Sequence, residues 1–352
     1  MFQNLRLQQF RSYSDEIFEF EPGVNIIVGP NGSGKTNLLE AILIIASGSS
    51  YRVGDEELIK FGKDWARLDG GLDVNQRTIK LVQENGRITK SYIFDDKPYK
   101  ILTHAHTLPV VLFEPNHLQL LHGQPELRRN FIDALLEQMH PSFGITRKHY
   151  RRALLQRNTL LKALKRPSAD QLFVWNLRLS ELGGAIAKAR TNLITELKTV
   201  LPELYSQVAG SSEVVVSIEY DSKLPPDTYE SALIRILEKN LDKDIARGFT
   251  SYGPHRDDIV VTFNERPAVE VASRGETRTA LLALKIFELG LLERLRGQKP
   301  VLLLDDVFSE LDGKRRHALA SFLQTHQTFI TTTDADLVLD SHMPSSHILP
   351  VG

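Results

Sequence analysis

The stretch Gly29-Pro30-Asn31-Gly32-Ser33-Gly34-Lys35-Thr36 follows the apolar run Val24-Asn25-Ile26-Ile27-Val28 and opens the helical run Leu38-Leu39-Glu40-Ala41-Ile42-Leu43. Strand, glycine loop and helix in that order are what a phosphate-binding loop requires. Glycines let the backbone curl so that its N–H groups face phosphate oxygens. The lysine reaches the β- and γ-phosphates, and the threonine hydroxyl offers a ligand to Mg²⁺. Gly29, Pro30, Asn31, Gly32, Ser33, Gly34, Lys35 and Thr36 are therefore read as nucleotide-binding, with Lys35 also catalytic and Thr36 also a metal ligand. The alternative, a glycine-rich turn with an accidental lysine, does not account for the order of the three segments.

Working outward, Val301-Leu302-Leu303-Leu304-Asp305-Asp306 is an apolar strand that ends in two carboxylates. A parallel sheet presents ligand-binding groups at such strand ends. Asp305 is read as the Mg²⁺ carboxylate and Asp306 as the catalytic group that orients the attacking water; an acidic helix cap is the plainer alternative. Ser273-Arg274-Gly275-Glu276-Thr277-Arg278 opens a predicted helix, and Ser309-Glu310-Leu311-Asp312 follows the acidic pair. These two segments look like the signature motif and D-loop of ABC-type ATPases, in which Ser273, Gly275 and Glu276 would meet the γ-phosphate held by a second subunit. Free amides and the helix dipole favour an anion there. Ser273 with Glu276 also matches a helix capping box, and the two roles are compatible.

The chain has 352 residues, 41% hydrophobic and 25% charged, which excludes fibrous and wholly disordered classes. With 43 basic against 44 acidic residues the net charge is −1, so affinity for nucleic acid has to come from local clustering. The absence of cysteine removes disulfides, thiolate nucleophiles and Cys-ligated metals, and fits a cytoplasmic setting. No apolar run approaches the roughly 18 residues of a membrane span, and Met1-Phe2-Gln3-Asn4-Leu5-Arg6 has no charged-then-apolar leader pattern. The expectation is a soluble cytoplasmic protein.

Strand-like runs at both ends, Val24–Val28 and Val110–Phe113 early, Val301–Leu304 and Thr328–Thr331 late, predict buried central strands of a parallel sheet with helices between. Residues 77–82 and 88–93 alternate at period two around Asn85-Gly86, which predicts a hairpin. Helical spacing runs from about Pro125 to Pro202, broken at Arg166-Pro167-Ser168-Ala169-Asp170. Strands are expected again at Val214–Ile218 and Ile259–Phe263. The fold class expected is α/β: an ABC-type ATPase head of residues 1–115 and 251–352, with a short helical arm, 116–250, forming a second lobe. Most of the chain separates Gly34 from Ser273, which disfavours a transporter motor, and the insert lacks the sustained heptads of long-arm relatives.

Five landmarks then carry a resemblance along essentially the whole chain: Gln9-Phe10-Arg11-Ser12-Tyr13, the phosphate loop, Phe113-Glu114-Pro115 with Pro125 to Asp133 including Arg128-Arg129, Gly253-Pro254-His255-Arg256-Asp257-Asp258, and Leu303 to Asp312. The sequence resembles the RecF family of bacterial DNA repair proteins. The resemblance implies ATP and Mg²⁺ as cofactors, an ATP-dependent homodimer, slow ATP hydrolysis, and binding of duplex or gapped DNA. It also implies work with the RecO and RecR mediators in loading RecA, and no membrane association. By the same resemblance Arg11 and Ser12 border the adenine or ribose, although a plain surface turn also explains them. The chain departs from the family where Glu276-Thr277 replace the usual Gln-Gln; Gln is also absent where related ATPases place a Mg²⁺-contacting glutamine near Glu114, and no His stands at Thr331-Thr332-Thr333, the usual switch position. His255-Arg256-Asp257-Asp258 has metal-ligand types but reads better as a hydrogen-bonded brace for the second lobe.

Between Arg147 and Arg166 lie Arg147, Lys148, Arg151, Arg152, Arg157, Lys162, Lys165 and Arg166 with no acid. Such clustering is the footprint of a phosphate-backbone binder, and Arg147, Lys148, Arg151, Arg152 and Arg157 are read as DNA-binding. A solvated helix face paired with acids elsewhere is the alternative. A nucleotide-driven ABC-type switch without a DNA role, in a transporter or toxin system, is the rival reading of the whole chain.

Overall fold

The computed structural model describes residues 1–73, 75–163, 168–323, 325–339 and 346–352, and the chain divides into two compact units. One unit comprises residues 1–118, 207–209 and 281–352; the other comprises 119–206 and 210–280. The return to the head expected at 251 thus falls later. Strand Asp258–Phe263 pairs antiparallel with Val216–Asp221, which ties 251–280, Ser273 included, to the second unit.

The first unit contains a five-stranded parallel sheet in the order His347–Pro350, Val24–Val28, Thr328–Thr332, Val301–Asp305, Val110–Phe113. Its strands read as unbroken apolar runs because a parallel sheet is covered on both faces; Val301–Asp305 is buried at every position. Val110–Phe113, expected to be central, is an edge strand. Its apolar sequence reports burial, which helices and loops can provide without a second strand partner.

The helix after the glycine loop, Lys35–Ser47, buries Leu38, Leu39 and every residue from Glu40 to Ala46. A helix apolar on nearly all sides belongs inside a core. It shares one hydrophobic cluster with Ile27, Leu303 and Phe329 of the parallel sheet and with Leu5, Leu7, Leu68, Ile79 and Leu81. The latter come from a six-stranded antiparallel sheet ordered Tyr13–Glu19, Phe2–Phe10, Trp65–Leu72, Gln76–Glu84, Arg87–Phe94, Lys97–Tyr99. The expected hairpin is there: Glu84 pairs with Arg87 across Asn85 and Gly86, whose φ values of 50° and 73° are those of a type I′ turn.

The second unit carries helices Pro125–Met139, Pro141–Leu161 and most of Ala169–Ala209, with a three-stranded sheet ordered Arg266–Pro267, Asp258–Phe263, Val216–Asp221. Ser168 starts the long helix through a reciprocal capping box with Gln171; Lys165, Arg166 and Pro167 lie outside the described residues. The helix passes through Pro202, where the pattern was expected to stop, and ends at Gly210 in a left-handed cap. A proline inside a helix forfeits a hydrogen bond, but buried Leu201 and Tyr205 flank it, and the Tyr205 ring packs edge-on against Phe263 at 5.7 Å. Among the described residues no helix is long and apolar enough to cross a membrane.

Candidate nucleotide-binding site

The glycine loop joins strand Val24–Val28 to helix Lys35–Ser47 at the carboxyl ends of the parallel strands. Each glycine has a specific reason. A Cβ at Gly29 would sit 2.0 Å from the Val351 carbonyl oxygen, and one at Gly34, where φ is 106°, would sit 2.9 Å from both Ser12 Oγ and Tyr13 Oη. Gly32 has φ 84° with open space beside it, so its conformation and not its size demands glycine. Pro30 accepts the Ser33 amide in a turn, while Asn31 is exposed at the tip.

Lys35 is 8% exposed, and its ammonium donates to the carbonyls of Gly29 (2.7 Å) and Pro30 (2.9 Å). Among the described residues it has no carboxylate partner, so its charge is solvated by neutral oxygens only. Ser33 Oγ is buried with no hydrogen-bond partner. An unneutralised ammonium and an orphaned hydroxyl on one loop fit a phosphate group. Thr36 Oγ1 donates to Asp305 Oδ1 at 2.9 Å, so the hydroxyl and carboxylate read as metal ligands meet at one point. Hard oxygen donors of this kind suit Mg²⁺.

Two residues that sequence reasoning left without a role complete this corner. Thr331 lies opposite Asp305 in the parallel register. Its hydroxyl donates to Asp305 Oδ1 (2.8 Å) and accepts the Asp306 amide (2.9 Å), tying the two carboxylate residues together. Tyr51 donates to Asp305 Oδ2 at 3.3 Å; burial and then the Asp305 charge push its phenol well above the ordinary value. Asp306 takes φ 52°, a conformation that costs a non-glycine residue energy and is tolerated at functional sites. That turn leaves its side chain exposed, held by the Ser309 hydroxyl at 3.2 Å. Glu114, just past strand Val110–Phe113, has its carboxyl raised by burial, with Lys285 opposing and Asp305 adding to the shift. It is an acidic neighbour of the same corner.

The turn Arg11-Ser12-Tyr13 docks on the end of the loop: Tyr13 Oη donates to the Gly34 carbonyl (3.0 Å), and Ser12 Oγ accepts from Asn37 (3.1 Å). Arg11, expected beside the adenine or ribose, is held by an ion pair. Its Nε and Nη2 bind Glu40, a fully buried carboxylate, at 2.9 and 3.2 Å. The pairing uses Nε and Nη2 and leaves Nη1 and the flat face of the guanidinium outside it.

In the second unit, Ser273 is exposed and caps helix Arg274–Arg296. Its hydroxyl accepts the Glu276 amide (3.2 Å) and its amide donates to Glu276 Oε2 (2.8 Å), so the capping box is present and occupies the Glu276 carboxylate. Gly275 gives its carbonyl to the Thr279 hydroxyl.

The basic helix Pro141–Leu161 splits into two classes. Arg157, expected on a DNA face, has 0% exposure and donates to Asn176, Asp244 and Thr250 at 2.8 Å each; that expectation is corrected to a buried structural ion pair. Arg147 is likewise largely spent, on Asp133 (3.1 Å) and Glu137 (2.8 Å). Lys148, Arg151 and Arg152 are exposed and, with Leu155 and Glu137, line an open concavity of about 400 Å³.

Comparison with known proteins places this geometry. The family model described as RecF/RecN/SMC N terminal domain matches residues 1–346. The chain is 38% identical to the DNA replication and repair protein RecF of Streptococcus uberis, covering 97% of this chain and 94% of that protein, and 36% identical to that of Halothermothrix orenii, covering 98% and 95%. Among solved structures it is similar to the recombination mediator protein RecF with ATPrS in the RecFOR pathway (TM-score 0.85, 30% identity, 96% of this chain and 94% of that one). An Smc head bound to the C-winged helix domain of ScpA shares the fold alone, at TM-score 0.56 and 14% identity. With a likeness of that extent along nearly the whole chain, the chain belongs to the RecF/RecN/SMC N-terminal domain family and, within it, to the RecF DNA replication and repair proteins.

Proposed function

We propose that this chain is an ATP-dependent DNA clamp with slow ATPase activity, which closes as a homodimer on duplex or gapped DNA and works with RecO- and RecR-type mediators in loading RecA. The observation that carries the reading is the Lys35 ammonium held by the Gly29 and Pro30 carbonyls, beside the Thr36–Asp305 hydrogen bond. A cation bound by neutral oxygens can exchange them for phosphate oxygens without abandoning a carboxylate. Mg²⁺, when bound through Thr36 and Asp305, would supply charge compensation at the phosphates. Thr331 ties the Asp305 carboxylate to the Asp306 backbone, and the Asp306 side chain would orient the attacking water at the γ-phosphate. Aspartate is one methylene shorter than the glutamate common in ABC-type ATPases, so its reach to that water is poorer and turnover slow. Ser273 would supply the γ-phosphate contact to a second subunit, which makes the dimer last only while nucleotide is intact. The exposed trio Lys148, Arg151 and Arg152 supports contact with DNA phosphates.

The test is a DNA-binding titration with and without ATP, run on the parent and on Asp306→Asn. ATP is expected to tighten binding, and Asp306→Asn to lose most hydrolysis while prolonging the DNA complex. Equal DNA retention with and without ATP favours a nucleotide switch with no DNA role, and parental turnover in Asp306→Asn removes that residue from catalysis.

A further inference from the structure

Two segments that the nucleotide site does not use, Arg128-Arg129 and Gly253–Asp258, interlock inside the second unit. Arg128 binds Asp258 through Nε (2.9 Å) and Nη2 (2.8 Å), and Arg129 Nη1 donates to the Asp257 carbonyl (2.8 Å). The Asp257 carboxylate accepts the hydroxyls of Tyr220 (2.6 Å) and Tyr229 (2.7 Å). Arg190 grips Asp133 with two hydrogen bonds and also donates to the Pro254 carbonyl at 2.6 Å. His255 Nε2 faces the Thr250 carbonyl at 3.1 Å and must carry the proton, so Nδ1 accepts from the Tyr150 hydroxyl at 2.7 Å. Burial holds that imidazole down to about 4, hence neutral at pH 7. The segment is a hydrogen-bonded brace, and among the described residues no cluster of three or more metal-ligand side chains exists.

The brace walls a cavity of about 360 Å³ whose lining includes five arginines, 129, 147, 151, 190 and 256, against two carboxylates, Glu126 and Asp133. Asp133 is already shared between Arg190 and Arg147. Among the described residues Arg129, Arg151 and Arg256 have no carboxylate within ion-pair distance. Arg256 lies over the Phe249 ring at 4.8 Å, which orients it without neutralising it. Burial, and then the neighbouring Arg190 charge, pull the Arg129 guanidinium below its usual value, against the opposing pull of Asp258, Glu126 and Asp133, none of which reaches ion-pair distance. Guanidinium forks match tetrahedral oxyanions with paired hydrogen bonds.

We propose that this cavity binds a phosphate dianion, free or terminal on a strand, gripped by Arg129, Arg151 and Arg256 on the rigid floor made by Arg190, Tyr150 and Pro254. The surplus of cations favours a doubly charged group over the single charge of an internal phosphodiester, and the space is too small to enclose duplex. Two sources share this chemistry: free inorganic phosphate, and the terminal phosphate of a nucleic-acid strand. Arg151 lines both this cavity and the open basic concavity, so a strand lying on the one can place its end in the other. The strand-end source rests on the DNA reading above; the phosphate site itself does not.

The experiment is calorimetric titration of the full-length chain with inorganic phosphate, in chloride buffer with saturating ADP to occupy the glycine loop. Saturable binding is expected, weakened about tenfold in Arg129→Gln and in Arg256→Gln. Arg256 is exposed and the one hydrogen bond its side chain makes among the described residues, to the Thr250 carbonyl, is 3.4 Å long, so that variant keeps the fold even if Arg129→Gln does not. Competition by blunt duplexes with phosphorylated against hydroxyl 5′ ends then separates the sources. Stronger competition by the phosphorylated duplex, lost in Arg256→Gln, assigns the strand end, whereas equal competition with phosphate binding intact assigns free phosphate. No saturable phosphate binding by the parent, or an Arg256→Gln affinity equal to the parent's, overturns the site. A failure of the DNA reading would look different: duplex retention would be insensitive to Lys148 and Arg152 while the phosphate titration stood.

Discussion

Lys35 in the first unit and Arg157 in the second are both buried cations, 8% and 0% exposed, but their partners differ in kind. Lys35 is held by two backbone carbonyls. Arg157 is held by a buried carboxylate, an amide oxygen and a hydroxyl. A charge neutralised by an equally buried countercharge is part of the architecture, because neither member can leave without stranding the other. A charge held by neutral oxygens keeps its field, and an incoming anion can complete it. The distinction sorts the other cations too. Arg11, Arg128 and Arg190 belong with Arg157, while Arg129 and Arg256, which donate to backbone carbonyls, share with Lys35 a charge held by neutral oxygens.

The sharpest way to break this comparison is Arg157→Ala, which leaves Asp244 charged and unpaired at 0% exposure. Loss of one partner of a buried pair costs about 3–5 kcal/mol. Chemical denaturation should show that loss in the second unit. If the stability falls by less than about 1 kcal/mol, or if DNA affinity falls while stability is kept, Arg157 is a ligand-facing cation after all. Lys35→Met is the complementary change: nucleotide affinity should drop about 100-fold, the value of a charge-assisted contact, with an almost unchanged melting temperature. Parental nucleotide affinity in the folded variant would remove the glycine loop from nucleotide binding.

These two residues also mark what could be read from the sequence. The glycine loop was legible because its demands are local: Gly32 and Gly34 answer to their own φ angles, and Asn85-Gly86 to a two-residue turn. The apolar strand ending at Asp305 was legible because coverage on both faces leaves no room for alternation. Arg157 was not, since the acid that neutralises it, Asp244, is distant in the chain and reached only by folding. Thr331 and Tyr51 escaped for the same reason: a parallel register places Thr331 beside Asp305, and nothing in Thr331-Thr332-Thr333 announces it. The run from Arg147 to Arg166 looked uniform because a sequence shows charges without their partners.

A smaller effect is expected on the exposed face. Changing Lys148, Arg151 and Arg152 together to Glu should weaken duplex binding by about tenfold at moderate salt and flatten the dependence of log affinity on log salt by about 0.9 for each DNA phosphate that is no longer neutralised. Stability should stay nearly constant, because the three side chains are exposed and none is in an ion pair among the described residues. Filter retention across a salt series gives both numbers. An unchanged slope would mean that this trio, like many solvated charges, faces water only.

The smallest expected change in the folded chain comes from Ser273→Asp, which separates two roles that one hydroxyl combines. As a cap, Ser273 accepts the Glu276 amide at 3.2 Å. Aspartate caps a helix about as well as serine, so stability should move by no more than a few tenths of a kcal/mol, whereas Ser273→Ala should lose about 1 kcal/mol. As a signature residue in a closed dimer, however, position 273 would face the γ-phosphate of the partner's nucleotide, and a carboxylate there repels it at close range. Ser273→Asp should therefore bind ATP as the parent does in the monomer yet fail to dimerise, while Ser273→Ala dimerises weakly. Sedimentation with ATP, alongside a melting curve for each variant, reads both roles at once. If Ser273→Asp dimerises like the parent, the serine is only a helix cap, and the γ-phosphate contact must come from elsewhere in the second unit.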